Sequence, residues 1–219
     1  MVSDTQRWNE YHQKTQDGSG PSMYGQEREP DFPRNSIICD LGGGTGSDTV
    51  YFLKKGHKVI LADISDHALK VAQGKVREAG VSQNLELRQI DYWKDKINLP
   101  DESVDVVYSR QSLHYFPKDE TGRLFKEVYR ILKKGGKAYI TLKSPEDTVE
   151  MSYLKETSVE YEPNVFIKND RLKSRFSIDQ LKEILNTAGI LDSQVTPYKE
   201  RVPSGNEEII LNEVIFVKQ

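Results

Sequence analysis

The chain of 219 residues predicts an α/β fold, with helices wound on both faces of a mostly parallel, seven-stranded sheet that closes in an antiparallel C-terminal hairpin. Three observations predict it. Apolar runs of strand length alternate with stretches of helical periodicity, the pattern of repeated βαβ units. The first such run, "SIIC", leads straight into "DLGGGTG", a glycine-rich turn from strand to helix. The last two strand-like segments are separated by "RVPSGN", whose turn residues read as a hairpin.

Taken in order, residues 1–17 are weakly helical, with Trp8 and Tyr11 at helical spacing. "GSGPSMYGQEREPDFPRN" (18–35) is rich in Gly and Pro and reads as a loop or mobile lid. After the glycines, "GSDTVYFLKKG" is helix and "HKVILAD" is strand. In "SDHALKVAQGKVREAG", Leu69, Ala72 and Val76 share one helical face, with Ser65 as cap and Gly80 as stop. "NLELRQI" and "SVDVVYS" are the third and fourth strands. A helix follows with Leu124, Val128, Ile131 and Leu132 on one stripe, and "KAYITLK" is the fifth strand. Ser177 and Gln180 form a capping-box pattern for the helix that buries Ile178, Leu181, Ile184 and Leu185. "ILDSQVTPYKE" and "EEIILNEVIFVKQ" complete the sheet. The expected organisation is one domain over 1–219: an N-terminal helix and lid (1–35), a ligand-binding core (36–143), a cap insert (144–176), and a C-terminal helix and hairpin (177–219).

Hydrophobic content of 36% and charged content of 30% fit a soluble globular protein, and a net charge of −3 gives no overall field for nucleic acid or acidic lipid. The single cysteine, Cys39, allows no intrachain disulfide or Cys-based zinc site and reads as core packing. "MVSDTQRWNEYHQKTQ" lacks the apolar core of a secretory signal, and no apolar run has membrane-spanning length, so the expected location is the cytoplasm. His12, His57 and His67 read as surface residues without metal-ligand spacing.

Three ligands share the device of bare backbone after a buried strand: a nucleotide phosphate, a dinucleotide and S-adenosylmethionine. A phosphate-binding loop needs Gly-Lys-Ser/Thr at the helix start, and Gly46, Ser47 and Asp48 stand there instead. A dinucleotide turn needs G-x-G-x-x-G, whereas Gly42, Gly44 and Gly46 give G-x-G-x-G. Asp40 just ahead of the turn would repel a pyrophosphate but attract a ligand ammonium. S-adenosylmethionine carries that ammonium, together with a carboxylate suited to backbone N–H groups at a helix start and a ribose diol suited to an acid. Asp63 stands at the end of the second strand, seventeen residues after Gly46, where the acid is needed.

At these residues the chain resembles the class I S-adenosylmethionine-dependent methyltransferases, whose fold is Rossmann-like. "ICDLGGGTG" is similar to that family's first motif, with Asp40, Gly42, Gly44, Thr45 and Gly46. "VILADIS" resembles the second, with Asp63 as ribose acid beside Ile64. "QIDYW" resembles the third, in which Asp91 would reach the adenine amino group and Tyr92 lie beside the ring. "VDVVYSRQSLHYF" and "LFKEVYRILKKGGKAYITL" follow in the family's order, and Ser109 falls at the end of the fourth strand, at the pocket. The resemblance runs over roughly residues 35–143 and implies S-adenosylmethionine as cofactor, with no metal required.

Methyl transfer is an in-line displacement, so the protein has to align an acceptor, exclude water and in some cases remove a proton. No "NPPY" or "DPPY" tetrapeptide follows the fourth strand, which argues against methylation of DNA adenine or glutamine amides. No Pro-Cys nucleophile serves cytosine carbon-5, and one cysteine is too few for arsenite chemistry. The expected partner is therefore a small-molecule methyl acceptor, with no nucleic acid and no membrane, acted on by a monomer or homodimer. A non-catalytic S-adenosylmethionine-binding sensor is the alternative. His114 and Tyr115, after the fourth strand, are the groups expected to bind or deprotonate the acceptor, though a histidine there also serves as helix-start packing. Arg110 suits a substrate carboxylate or a salt bridge. Tyr153, Tyr161 and Phe166 of the insert, with Trp8, Tyr11 and Tyr24, are expected to roof the site. "KNDRLKSR" (168–175) suits either an anionic acceptor or a solvated charged face.

Overall fold

A computed structural model describes residues 3–15, 20–201 and 208–219. Its main sheet contains β1 (Ile37–Leu41), β2 (Lys58–Asp63), β3 (Leu85–Gln89), β4 (Val104–Arg110), β5 (Leu132–Lys143), β9 (Ser193–Arg201) and β10 (Glu208–Val217), in the order β3-β2-β1-β4-β5-β10-β9. The first five strands are parallel, and β10 runs antiparallel to both β5 and β9. This is the predicted doubly wound architecture. The pairing of β9 with β10 ends at Arg201 opposite Glu208, and the rest of the expected hairpin turn lies outside the described residues.

Period-two alternation divides the central strands between two cores. Cys39, Leu41 and Val107 face one core, with Leu124, Val128 and Ile131 of α5 (Lys118–Ile131) and Leu181, Ile184 and Leu185 of α7 (Ile178–Thr187). Ile38, Val106 and Tyr108 face the other, with Phe52 and Leu53 of α3 (Ser47–Lys54). Both faces are covered, so these strands are apolar along their length. Two of the helices open on side-chain caps readable in the sequence. Ser65 Oγ accepts from Ala68 N at 3.0 Å to open α4 (Asp66–Glu78). The Ser177–Gln180 capping box opens α7. Leu132, expected as the fourth member of the α5 stripe, is instead the first residue of β5 and remains buried.

Two segments depart from expectation. Residues 20–35 are not a mobile lid. Ser22 caps a short helix, α2 (Met23–Arg28), by accepting from Gly25 N at 2.8 Å. That helix buries Tyr24 completely, and its ring lies 5.5 Å from that of Tyr108. Asp48 anchors the turn by accepting from Ser22 N at 2.6 Å and Tyr108 Oη at 2.7 Å, and Arg28 forms a two-toothed ion pair with Glu213. Tyr24 therefore belongs to the core, not to a roof. Apolar anchors outweighed the local Gly and Pro content, which only a tertiary contact reveals.

The insert 144–176 is ordered secondary structure: α6 (Thr148–Thr157), then a small antiparallel sheet of β6 (Val159–Glu162), β7 (Val165–Lys168) and β8 (Arg171–Ser174). Asn169 and Asp170, the two-residue link of β7 to β8, have φ of 49° and 58°, as a primed hairpin turn requires. Its aromatic residues do not roof the cleft, because Tyr153 and Tyr161 face solvent and Phe166 packs under α6 with Met151 and Leu154.

Candidate active site

The strand order reverses between β1 and β4, and a cleft opens outside the carboxyl ends at that switch point. A cavity of about 880 Å³ fills it, bordered by the glycine loop, the ends of β2 and β3, the segment after β4, and parts of α1 (Asp4–Lys14) and β8. One cavity thus joins Asp40, Gly42, Gly44, Thr45, Asp63 and Ile64 on one side to His114 and Tyr115 on the other.

The loop needs its glycines for two separate reasons. Gly42 has φ +74°, and a Cβ there would lie 2.1 Å from Ser112 Oγ. Gly43 has no unusual φ, but a Cβ would lie 2.4 Å from Leu61 Cδ1 and 2.5 Å from Asp40 Oδ2. Bare backbone is what lets the turn press against two buried neighbours at once. Gly46 sits at the α3 cap with φ +76°, off the cavity wall.

Two acids hold the turn. Asp40 is almost wholly buried and accepts from Thr49 Oγ1 at 2.5 Å. Burial raises its carboxyl to about 7, against the opposing pull of that hydrogen bond. Asp63 accepts from Gly44 N and Ser65 N, each at 2.9 Å, so it ties the glycine loop to the start of α4. Burial pushes its pKa up as well, while these backbone donors and nearby His12 pull it down. Burying carboxylates is costly, and two of them beside one open cavity mark a site for a polar or cationic ligand.

The remaining expected residues are placed less uniformly. Asp91 lies at the cavity edge, where its carboxylate accepts from Trp93 N at 3.1 Å and pairs with Lys94 at 2.8 Å. Tyr92 points inward and donates its hydroxyl to Ala62 O at 3.1 Å, and burial raises its pKa. Tyr92 and its neighbour Trp93 both border the cavity, and Trp93, 41% exposed and 5.1 Å from the Phe116 ring, is the more exposed of the two. Ser109 is buried off the wall with its hydroxyl donated to Leu41 O at 2.8 Å. Ser112, which was not singled out in the sequence, reaches the cavity instead.

Gln111 follows β4 with φ +53°, held by N–H donation to Thr141 O at 3.1 Å. That left-handed residue turns the chain so that Ser112, His114 and Tyr115 line the cleft. Arg110 resolves in favour of a salt bridge, since its Nε donates to both oxygens of buried Glu200 at 2.9 Å. His114 is buried, its Nδ1 has no partner among the described residues, and burial with nearby cations keeps its imidazole neutral. Burial raises the Tyr115 phenol to about 12, so it is a hydrogen-bonding group rather than a phenolate.

Two of the histidines expected at the surface are not there. His57 is buried, accepting from Ser36 N on Nδ1 and meeting Glu29 at 3.2 Å through Nε2. His12 lies over the glycine loop, 3.1 Å from where a Gly44 Cβ would be. The helix that carries it spans the cleft. Asn9 engages Ser65 and Asp66 at the α4 start, Arg7 reaches the Asn169–Asp170 turn, and Trp8 packs edge-on to Tyr115 at 5.2 Å. Among the described residues there is no group of His, Cys, Asp and Glu that could hold a metal ion, and no helix is long and apolar enough to cross a membrane.

Comparison with known proteins bears on this geometry. A family model described as a methyltransferase domain matches residues 38–136. The ubiquinone/menaquinone biosynthesis C-methyltransferase UbiE of Salmonella arizonae is 33% identical over 110 residues, covering 49% of this chain and 42% of that protein. The chain thus spans less than half the length of the curated relative it matches. Among solved structures, an S-adenosylmethionine-dependent methyltransferase from Methanosarcina mazei superposes with a TM-score of 0.72 at 19% identity, over 85% of this chain and 94% of that one. The Burkholderia thailandensis 1,6-didemethyltoxoflavin-N1-methyltransferase, bound to its substrate and S-adenosylhomocysteine, superposes with a TM-score of 0.62 at 18% identity, over 90% and 76%. Residues 38–136 therefore form a methyltransferase domain on the Rossmann-like fold. The matched stretch is the one that carries the motifs resembling the class I S-adenosylmethionine-dependent methyltransferases, and the fold is shared with solved structures of such enzymes.

Proposed function

We propose that the chain transfers the methyl group of S-adenosylmethionine to a small-molecule acceptor held under α1 and β8. The observation that carries this reading is the single cavity shared by the glycine loop, Asp63 and the His114–Tyr115 segment. Bound there, the cofactor supplies an electrophilic methyl carbon and leaves as a neutral thioether. The chain's own residues fit it. Asp40 and the loop backbone of Gly42, Gly44 and Thr45 take the amino-acid end, Asp63 takes the ribose diol, and Asp91 with Ile64 flanks the adenine. Tyr92 and the more exposed Trp93, which both border the cavity, lie beside that ring. Gly46 and Ser109 support the turn and the β1–β4 junction rather than touching the ligand.

On the acceptor side, Tyr115 and the neutral His114 are hydrogen-bonding groups in a water-poor corner, and α1 closes the cleft above them. Alignment and water exclusion supply most of what an in-line transfer needs. The reading is tested by incubating the protein with cofactor carrying a labelled methyl group and a panel of small acceptors. Label should appear in at least one acceptor with stoichiometric formation of S-adenosylhomocysteine. Cofactor binding with no transfer to any class of small acceptor, or transfer only to nucleic acid, would overturn it.

A further inference from the structure

The acceptor end of the cavity carries an unbalanced charge. Lys143, at the end of β5, and Lys173 and Arg175, on and just after β8, lie near His114, Arg171 of β8 lies near its neighbour Tyr115, and the carboxylate facing them is Glu150 of α6. Glu150 is already engaged by Arg175 at 2.7 Å and Lys143 at 3.4 Å. Asp170, also at the cavity wall, pairs with Arg7, and Glu200 is taken by Arg110 and Gln111. Arg171 and Lys173 have no ion pair among the described residues. Their heads rest instead over the rings of Trp8 and Tyr115, at 5.3 and 5.8 Å.

This arrangement is built, not incidental. Ser174 N donates to His114 O at 2.9 Å, which fixes β8 against the segment after β4. The pairing of Lys173 with Phe166 of β7 seats the cation on an ordered sheet whose other face is packed. The ammonium of Lys173 is half-buried and pushed down from its ordinary pKa by burial and by Arg175, Arg171 and Lys143. Like charges gathered in a partly dehydrated corner repel unless an anion joins them. The unpartnered, buried Nδ1 of His114 lies in the same corner. The open solvated face that "KNDRLKSR" also suggested does not describe residues 171–175, because Ser174 and Arg175 are almost wholly buried, Arg171 and Leu172 line the cleft, and Lys173 reaches the ring of Tyr115 at its wall.

We propose that the methyl acceptor is a small anion whose carboxylate or phosphate group sits between Lys143, Arg171 and Lys173, against Nδ1 of His114. This rests on the methyl-transfer reading and narrows it to a substrate class. The anionic group is the anchor, and the atom that receives the methyl group is the part of the same molecule turned towards the glycine loop. Charge-assisted hydrogen bonds of this kind are about twice as strong as neutral ones, so they fix one end of an acceptor otherwise held by aromatic surface.

The test uses the full chain saturated with S-adenosylhomocysteine. Inorganic phosphate and acetate are titrated separately while the His114 ring is followed by nuclear magnetic resonance. One of the two should produce a saturable shift, and which one does so distinguishes a phosphate from a carboxylate anchor. In Lys173→Gln and in Lys143→Gln, each judged folded by retained S-adenosylhomocysteine binding, apparent affinity should fall at least tenfold. No saturable shift with either anion, or an apparent affinity in both variants unchanged from the parent, would overturn the proposal. So would a labelled-methyl screen in which neutral acceptors react while their carboxylated and phosphorylated counterparts stay inert. That last result would leave the methyl-transfer reading standing, whereas failure of S-adenosylhomocysteine to bind at all would defeat the reading itself.

Discussion

Replacing Asp40 with Asn removes a large pH dependence from folding stability. The Asp40 carboxyl is raised by burial to about 7 in the folded protein, against an ordinary value of 3.8. The folded chain then holds a proton that the unfolded chain has lost between about pH 4 and pH 7, so stability falls as pH rises through that window. A shift of that size corresponds to about 4 kcal/mol. Asn keeps an oxygen for Thr49 Oγ1 and has nothing to ionise. The parent minus Asp40→Asn difference in unfolding free energy should therefore decline by about 4 kcal/mol from pH 4 to pH 7, measured by urea unfolding of the ligand-free protein. Asp48 and Asp63 also raise the Asp40 value, but both remain in the variant and largely cancel. Parallel curves for the two proteins would show that Asp40 is ionised throughout. A buried acid that costs stability at neutral pH is retained where a ligand cation can restore its charge, and a ligand ammonium is such a cation.

Asp63→Ala should lower affinity for S-adenosylhomocysteine at least tenfold while the fold persists. The substitution removes the acceptor of two backbone N–H groups, Gly44 and Ser65, and the carboxylate proposed to take the ribose diol. A hydrogen bond to a charged group contributes about 1.5–3 kcal/mol, and an unsatisfied buried donor costs about 1–3 kcal/mol. Part of that loss falls on the loop itself, so Asp63→Asn, which keeps an oxygen for one donor, should lie between the two. Calorimetric titration reads the affinity and circular dichroism the fold. Unchanged affinity in Asp63→Ala would place the ribose anchor elsewhere.

The sequence made the parallel core and its closing hairpin readable because their cues are local. Strand-length apolar runs, Ser65 and the Ser177–Gln180 pair act within a few residues of themselves. The glycine loop and Asp63 were readable for the same reason, since their spacing is fixed by one strand–helix–strand unit. What escaped depends on distant partners. Asp48 and Glu213 make a docked helix out of residues that look like a lid. That Trp93 borders the cavity beside Tyr92, whose hydroxyl is drawn inward to Ala62 O, is announced by no spacing rule. The substitution of Ser112 for Ser109 depends on the left-handed turn at Gln111, a residue type seldom found in that conformation. The small sheet of the insert does leave a local signal in its Asn169–Asp170 turn, two residue types that tolerate the left-handed conformation.

The central claim is that the glycine loop, Asp40 and Asp63 form a site for an adenosyl sulfonium and not for a dinucleotide. Calorimetric titration of the unmodified chain with S-adenosylhomocysteine and, separately, with NAD tests it most directly. Saturable one-to-one binding of S-adenosylhomocysteine, with no heat of binding for NAD at the same concentrations, is the predicted result. NAD binding at comparable affinity, or no binding of S-adenosylhomocysteine, would contradict it.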